Sequence, residues 1–233
     1  MAKRKVVVSK DGPYLVSGGV PLATEIVVSD REGMPLKWKK GRKIAVKGAY
    51  ALCRCGHSAA KPFCDGAHVR TQFKGTETAS RVNYDDRAGM IDGPGLVLTD
   101  VPELCAGAGF CHRAGGTWAL TQHSGDAKSK KLAIKQACDC PSGRLIARDK
   151  KTRKPIEPKL GESISVTEDP GEGLSGPLWA KDGLEIESAD GRKYEKRNRV
   201  TLCRCGYSSN KPFCDGTHKS AGFSDGDKPL KKK

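Results

Sequence analysis

The chain has 233 residues, 36% of them hydrophobic and 30% charged, with a formal net charge of +15. So little apolar material, broken by 28 glycines and 13 prolines, predicts several small units and not one large core, because small units bury too little apolar surface to hold unaided. No run approaches the ~20 apolar residues of a membrane-spanning helix, which excludes that class.

Taken in chain order, the N-terminus "MAKRKVVVSKDGPYLV" alternates like a strand and lacks both the apolar core and the cleavage pattern of a secretory signal. A cytoplasmic location is therefore expected, where thiols stay reduced. The ten cysteines, at 53, 55, 64, 105, 111, 138, 140, 203, 205 and 214, then point to metal or clusters and not to disulfides. Residues 1–85 form a first unit, in which "KVVV", "TEIVV" and "KIAVKGAYAL" read as strands ahead of "CRCGHSAAKPFCDGAH" at 53–68. Residues 86–155 match neither end of the chain and contain one helical pattern, "SKKLAIKQA". "KKTRKPIEPK" at 150–159 reads as a linker. Residues 156–225 repeat the first plan, with "SISV", "LEIES" and "RVTL" before "CRCGYSSNKPFCDGTH" at 203–218. The closing segment 226–233 reads as a basic disordered tail.

The two sixteen-residue stretches are identical at twelve positions, which marks an internal duplication. A Gly-Pro turn precedes each. It lies 41 residues before the first cysteine in one half and 27 in the other, so the first half holds about one extra hairpin. Two copies suggest a pseudo-two-fold pair and not a solenoid.

Each copy is spaced C-x-C-x8-C-x3-H. Strand residues two apart share a side, so Cys53 and Cys55 can reach one metal if Gly56 lets the chain bend. Pro62 then stiffens the approach to Cys64. Asp65 suits the N-cap of a short helix starting at Gly66, which would bring His68 one turn past Cys64 and aim amide donors at the sulfurs. The second copy repeats this with Cys203, Cys205, Gly206, Pro212, Cys214, Asp215, Gly216 and His218. The duplication also filters: His57 is replaced by Tyr207 and is not expected to be a ligand. Ser58 and Ser208 survive, as sulfur donors or as turn-stabilising hydroxyls.

These residues resemble the CDGSH iron–sulfur domain of the NEET family, whose pattern C-x-C-x2-S/T-x3-P-x-C-D-G-S/A/T-H both copies match at every defined position. The resemblance implies a [2Fe–2S] cluster in each copy. Cys53 and Cys55 would hold one iron and Cys64 and His68 the other; Cys203 with Cys205, and Cys214 with His218, would hold the second cluster. It also implies that the two halves fold as an intramolecular pseudo-dimer, since one-motif members resemble strand-swapped homodimers. Two Cys3His zinc sites are the alternative that spacing alone leaves open.

Between the motifs, "LCAGAGFCHRAGG" at 104–116 and "QACDCPSGRLI" at 136–146 resemble a divergent single-cluster ferredoxin whose loop has lost its central cysteine, here Ala108. The resemblance implies a [3Fe–4S] or [4Fe–4S] cluster on Cys105, Cys111 and Cys140, with Cys138 as a candidate fourth ligand. An empty degenerate insert, a structural zinc and a redox-active cysteine pair stay open. His112 and His123 read as surface or packing residues.

No P-loop, H-E-x-x-H or G-x-S-x-G is present, and "GEGLSG" at 171–176 follows no strand and reads as a loop. Trp38, Trp118 and Trp179 stand too far apart in sequence for a base-stacking platform. The expectation is a small, mainly β, α+β fold of two CDGSH units with a small ferredoxin-like insert. It is a monomeric electron carrier or cluster donor with no substrate-turnover site. Its positive charge, if more than a solvated lysine surface, steers an acidic redox partner or apo acceptor. A zinc-dependent nucleic-acid or protein interaction module is the alternative.

Overall fold

The computed structural model describes residues 3–226; the expected tail lies outside these apart from Gly226. The first half supplies β1 (Lys5–Val8), β2 (Tyr14–Ser17), β3 (Leu22–Ser29), β4 (Pro35–Ile44), β5 (Tyr50–Leu52) and a single turn, α1 (Ala67–Arg70). The middle segment contains α2 (Tyr84–Arg87), β6 (Gly89–Asp92), β7 (Leu96–Asp100), α3 (Thr117–Gln122), α4 (Ala127–Asp139) and β8 (Leu145–Asp149). The second half adds β9 (Ile164–Asp169), β10 (Leu174–Lys181), β11 (Glu185–Glu187) and β12 (Arg199–Leu202). Among the described residues no helix is long and apolar enough to cross a membrane.

The two halves build matching three-stranded antiparallel units, β1-β2-β5 and β9-β10-β12. Tyr14 faces Leu52 in one and Leu178 faces Leu202 in the other. Each unit is completed by a strand from the opposite half. β11 pairs in parallel with β1, Val6 opposite Ile186, and β3 pairs in parallel with β9, Leu22 opposite Ile164. Alternation in β1 turns Val6 and Val8 inward, and the exchange lets both halves share one core. Twenty buried residues form that cluster, among them Val6, Val16 and Leu52 from the first half and Ile164, Leu178 and Leu202 from the second. The composition argued for separate small cores; strand exchange pools them, because neither half covers its own sheet alone.

Two other readings change, and the extra hairpin is found. "KIAVKGAYAL" is not continuous strand: β4 pairs with β3 and β5 with β2, so residues 45–49 must cross from one sheet to the other. The extra hairpin is β3–β4, and β4 reaches out to the middle segment. Trp38 on β4 donates its Nε1–H to the Asp139 carbonyl at 2.9 Å, and Arg113 donates to the Leu36 carbonyl at 2.6 Å. The 150–159 stretch is not a free linker. Ile156 donates its N–H to Ala147 O at 2.7 Å, and Glu157 pairs with the buried Arg199 at 2.7 Å.

The middle segment is a three-stranded antiparallel sheet, β6-β7-β8, covered by α3 and α4. The Asp126 carboxylate accepts from the Ser129 N–H at 2.8 Å and caps α4. Leu98, Ala137, Leu145 and Ala147 form its small core.

Candidate metal centres

In each copy the motif closes on itself through the same bonds. Cys53 N–H donates to Pro62 O at 2.8 Å and Cys64 N–H to Ala51 O at 3.0 Å; Cys203 to Pro212 and Cys214 to Thr201 repeat this at 2.9 Å each. Ser58 and Ser208 donate to the Phe63 and Phe213 carbonyls at 2.6 and 2.7 Å, so they serve the turn. The Asp65 carboxylate ties two loops, accepting from Ala59 N–H and Ala67 N–H at 2.9 Å each. Asp215 does the same with Ser209 and Thr217. Asp65 therefore stands one residue before the cap position, which Gly66 takes at φ 84°. In the second copy residues 217–220 form turns and no α-helix.

This scaffold sets the donors in twos. Cys53 Sγ and Cys55 Sγ are 3.8 Å apart, and Cys64 Sγ is 3.4 Å from His68 Nδ1. The second copy gives 3.7 Å for Cys203 with Cys205 and 3.4 Å for Cys214 with His218. One backbone amide aims at each third cysteine, Gly66 N at Cys64 Sγ and Gly216 N at Cys214 Sγ, both 3.4 Å. Among the described residues no three His, Cys, Asp or Glu side chains gather as a single ion would need. His57 is exposed, as the duplication filter implied.

Burial shapes the thiols. A hydrogen bond from Cys205 draws the Cys203 thiol down to about 6, and the same bond pushes Cys205 up. Desolvation raises Cys55 to about 11 and raises Cys214. The residue between the paired cysteines of each copy is a buried arginine that braces the loop. Arg54 is 1% exposed, donates to the Ser9 carbonyl at 3.1 Å and to the Gly75 carbonyl, and leaves its Nε buried without a partner. Arg204 donates to Gly176 O and Glu168 Oε1 at 2.6 Å each, to Thr167 O at 3.0 Å, and to Asp225. Both arginines stand among the twelve identical positions, a repetition that marks them although arginine is not a metal-ligating residue type. Three sulfurs, an imidazole and a sulfur-directed amide are a donor set that fits an iron–sulfur group.

The two motifs abut. A Cβ at Gly56 would collide with the Cys205 carbonyl, and one at Gly206 would stand 2.5 Å from the Cys55 carbonyl. The two Cys-Arg-Cys-Gly loops thus pack back to back where the halves meet, and glycine is required at both φ and contact. Tyr14 of the first half donates to the Cys203 and Pro212 carbonyls at 2.7 and 2.9 Å.

The middle segment meets the second site. A Cβ at Gly216 would lie 3.1 Å from the Cys105 carbonyl, and the Cys214 thiol feels the charge of Cys105. Ala106, Gly107 and Trp38 line one cleft with His218. His218 is 6% exposed, whereas His68, its twin, is half-buried. Trp38 and Trp179, far apart in sequence, meet at 5.3 Å, with Phe110 5.0 Å from Trp38; they cover this junction.

Cys105, Cys111 and Cys140 line a single cleft with Pro141 and Arg144. Burial, with Cys140 and Cys105 nearby, raises the Cys111 thiol to about 11. Arg199 from β12 donates to the Cys140 carbonyl at 2.7 Å and pins the Cys-Pro turn. Cys138 does not line the cleft; its Sγ lies 3.5 Å from Ile156 O. It sits on α4, where residues two apart do not share a face, so the closeness of Cys138 and Cys140 in sequence does not bring their sulfurs together. His112 packs 5.8 Å from Trp118, and the His123 ring lies against Ala119 O at 2.8 Å; neither joins a donor set.

These features define an iron–sulfur protein. The family model described as iron-binding zinc finger, CDGSH type, matches residues 11–69 and 175–219, and that of the divergent 4Fe-4S mono-cluster matches residues 91–150. The chain thus carries two CDGSH-type regions that flank a divergent ferredoxin-like region. No curated protein and no solved structure matches it.

Proposed function

We propose that the protein binds two [2Fe–2S] clusters, each on three cysteines and one histidine, and a third cluster on Cys105, Cys111 and Cys140, and that it carries single electrons. When bound, such clusters supply a one-electron couple whose potential rises when imidazole replaces a thiolate. Cys53, Cys55, Cys64 and His68 would hold one cluster; Cys203, Cys205, Cys214 and His218 the other. Donors that stand in pairs support two metals per site over the lone tetrahedral zinc of the alternative reading. The observation that carries the proposal is the contact between centres: the Cys105 loop lies on Gly216 and beside His218, and the two Cys-Arg-Cys-Gly loops touch. Electron carriers need such closeness; isolated structural sites do not. Arg54 and Arg204 brace the Cys-Arg-Cys-Gly loops against neighbouring backbone, Gly66 and Gly216 orient a sulfur each, and Trp38 lines the cleft beside His218. No substrate-turnover site forms part of this reading, and the +15 net charge favours an acidic redox partner.

Cluster donation is a second reading, favoured by one feature. His68 is half-buried while His218 is covered, which leaves the first site open to an apo acceptor. An iron and acid-labile sulfide count with visible and EPR spectra, followed by repeated reduction and reoxidation, tests the proposal. Reversible cycling with full sulfide retention is expected. Colourless protein holding zinc without sulfide overturns it, and loss of sulfide to an apo acceptor on each cycle favours donation.

A further inference from the structure

A cleft of about 130 Å³ with no cysteine in its lining lies between the segment entering α2 and the segment that leads into β12. Arg81, Arg87, Arg192, Lys193 and Arg197 line it, with Glu195 as its one carboxylate. Three of the cations are already answered. Arg192 meets Asp190 at 2.6 Å, Lys193 meets Glu185 at 3.2 Å, and Arg81 donates to Ser188 Oγ at 2.6 Å with Asp190 at 3.9 Å. Glu195 is itself engaged, its Oε2 accepting the Tyr84 N–H at 2.8 Å.

Arg87 and Arg197 are not answered. The Nε of Arg87 is buried with no hydrogen-bond partner. Arg197 donates only to the Ser142 carbonyl, at 3.2 Å, and packs its guanidinium 5.9 Å from the Tyr84 and Phe213 rings. Among the described residues neither has a carboxylate within 4 Å. Burial, and then the neighbouring Arg87 and Arg199 charges against the pull of Glu195, lowers Arg197 to about 10. A buried, unpartnered Nε–H beside a second cation on the wall of the same cleft is costly unless an anion completes them. Their planar forks match the paired oxygens of phosphate and carboxylate. The cleft is well below the ~300–1,000 Å³ of sites that enclose a drug-sized ligand, so it takes one oxyanion group.

We propose that Arg87 and Arg197 form a binding site for a small oxyanion of the phosphate class, with Arg81 at its mouth. Calorimetric titration of the full-length, cluster-loaded protein at low ionic strength tests this, with inorganic phosphate in one arm and a nucleoside monophosphate in the other. Saturable one-to-one binding of phosphate is expected. Arg87→Gln should weaken it about tenfold or more, the loss of one charge-assisted hydrogen bond, and Arg87→Lys should weaken it less. Arg31→Gln, which removes an exposed cation on the β3–β4 turn outside the cleft lining, should leave it within about twofold. Visible spectra and melting curves confirm that each variant is folded and loaded. Tighter binding of the nucleoside monophosphate would assign the site to the phosphate group of a larger molecule, and tighter binding of inorganic phosphate to the free ion. No saturable binding in either arm, or equal binding by wild type and Arg87→Gln, would overturn the proposal.

Discussion

Arg204→Met is the perturbation that most sharply tests how the second motif is held. The Arg204 side chain is 2% exposed and faces two carboxylates, Glu168 at 0% and Asp225 at 4%. Removing it leaves both acids buried without their cation. Breaking a buried pair from one side costs about 3–5 kcal/mol, and at this chain length each kcal/mol is worth roughly 2–4 °C, so a fall in Tm of roughly 6–20 °C is expected. Arg54→Met is the internal control. It alters the same position of the other motif and disturbs the same kind of ligand loop, but Arg54 donates to the Ser9 and Gly75 carbonyls, and no carboxylate lies within 4 Å of it among the described residues. Its loss should cost about 1.5–3 kcal/mol, so the difference isolates the buried acids. Burial also raises Glu168 to about 7, well above its unfolded value of ~4.3. The stability that Glu168 confers is therefore complete below ~4.3 and is lost as pH rises through about 7. Without the guanidinium, Glu168 holds its proton further into the alkaline range, so the deficit of Arg204→Met should grow from about pH 6 to about pH 8. Melts followed by circular dichroism and by visible absorbance measure both effects. Equal melting of the two variants, or a deficit flat across that pH window, would refute this account.

Burial lowers His218 to about 4, aided by the Arg204 and Lys219 charges. Its neutral, ligand-competent form therefore adds stability above the unfolded value of ~6.5 that is lost as pH falls toward 4. In a Cys64→Ser variant, which keeps only the second outer site, visible bleaching should begin at lower pH than in Cys214→Ser, which keeps the site of the half-buried His68. Replacing His68 or His218 by Cys should slow cluster loss and lower the potential, measured by spectro-electrochemistry. Iron per chain should be about seven or eight with the middle cleft filled and about four without it. Cys105→Ser should lower the count, and Cys138→Ser should leave it unchanged. Gly216→Ala forces a side chain into φ +88° with its Cβ 3.1 Å from the Cys105 carbonyl. That strain costs ~1–3 kcal/mol, so chelator access to second-site iron should rise toward that of the first.

The candidate donors were legible because the chain states them twice, and their repetition in both copies set them apart from neighbours such as His57. Local strands were legible wherever side chains alternate, as in β1. The resemblance implied a strand-swapped pair, but that β3 and β11 are the strands exchanged was not legible. Both pair in parallel with strands far away in sequence, and parallel pairing leaves no hairpin turn to read. Trp38 and Trp179 were dismissed on their separation, yet the extra hairpin folds one onto the other. Cys138 was weighed as a neighbour of Cys140 by count, while the helix that carries it turns the sulfur toward Ile156. The sequence carried the identity of the side chains; long-range pairing decided their company.

A pair made from two copies of one gene must repeat every embellishment on both sides of its axis. Joining the copies end to end, with β3 and β11 traded between them, lifts that obligation. The β4 arm and the cysteine-rich insert adorn one side alone, and so twin sets of ligands acquire unlike surroundings within a single polypeptide. The crossed strands that weld the halves together are therefore also what frees each of them to specialise.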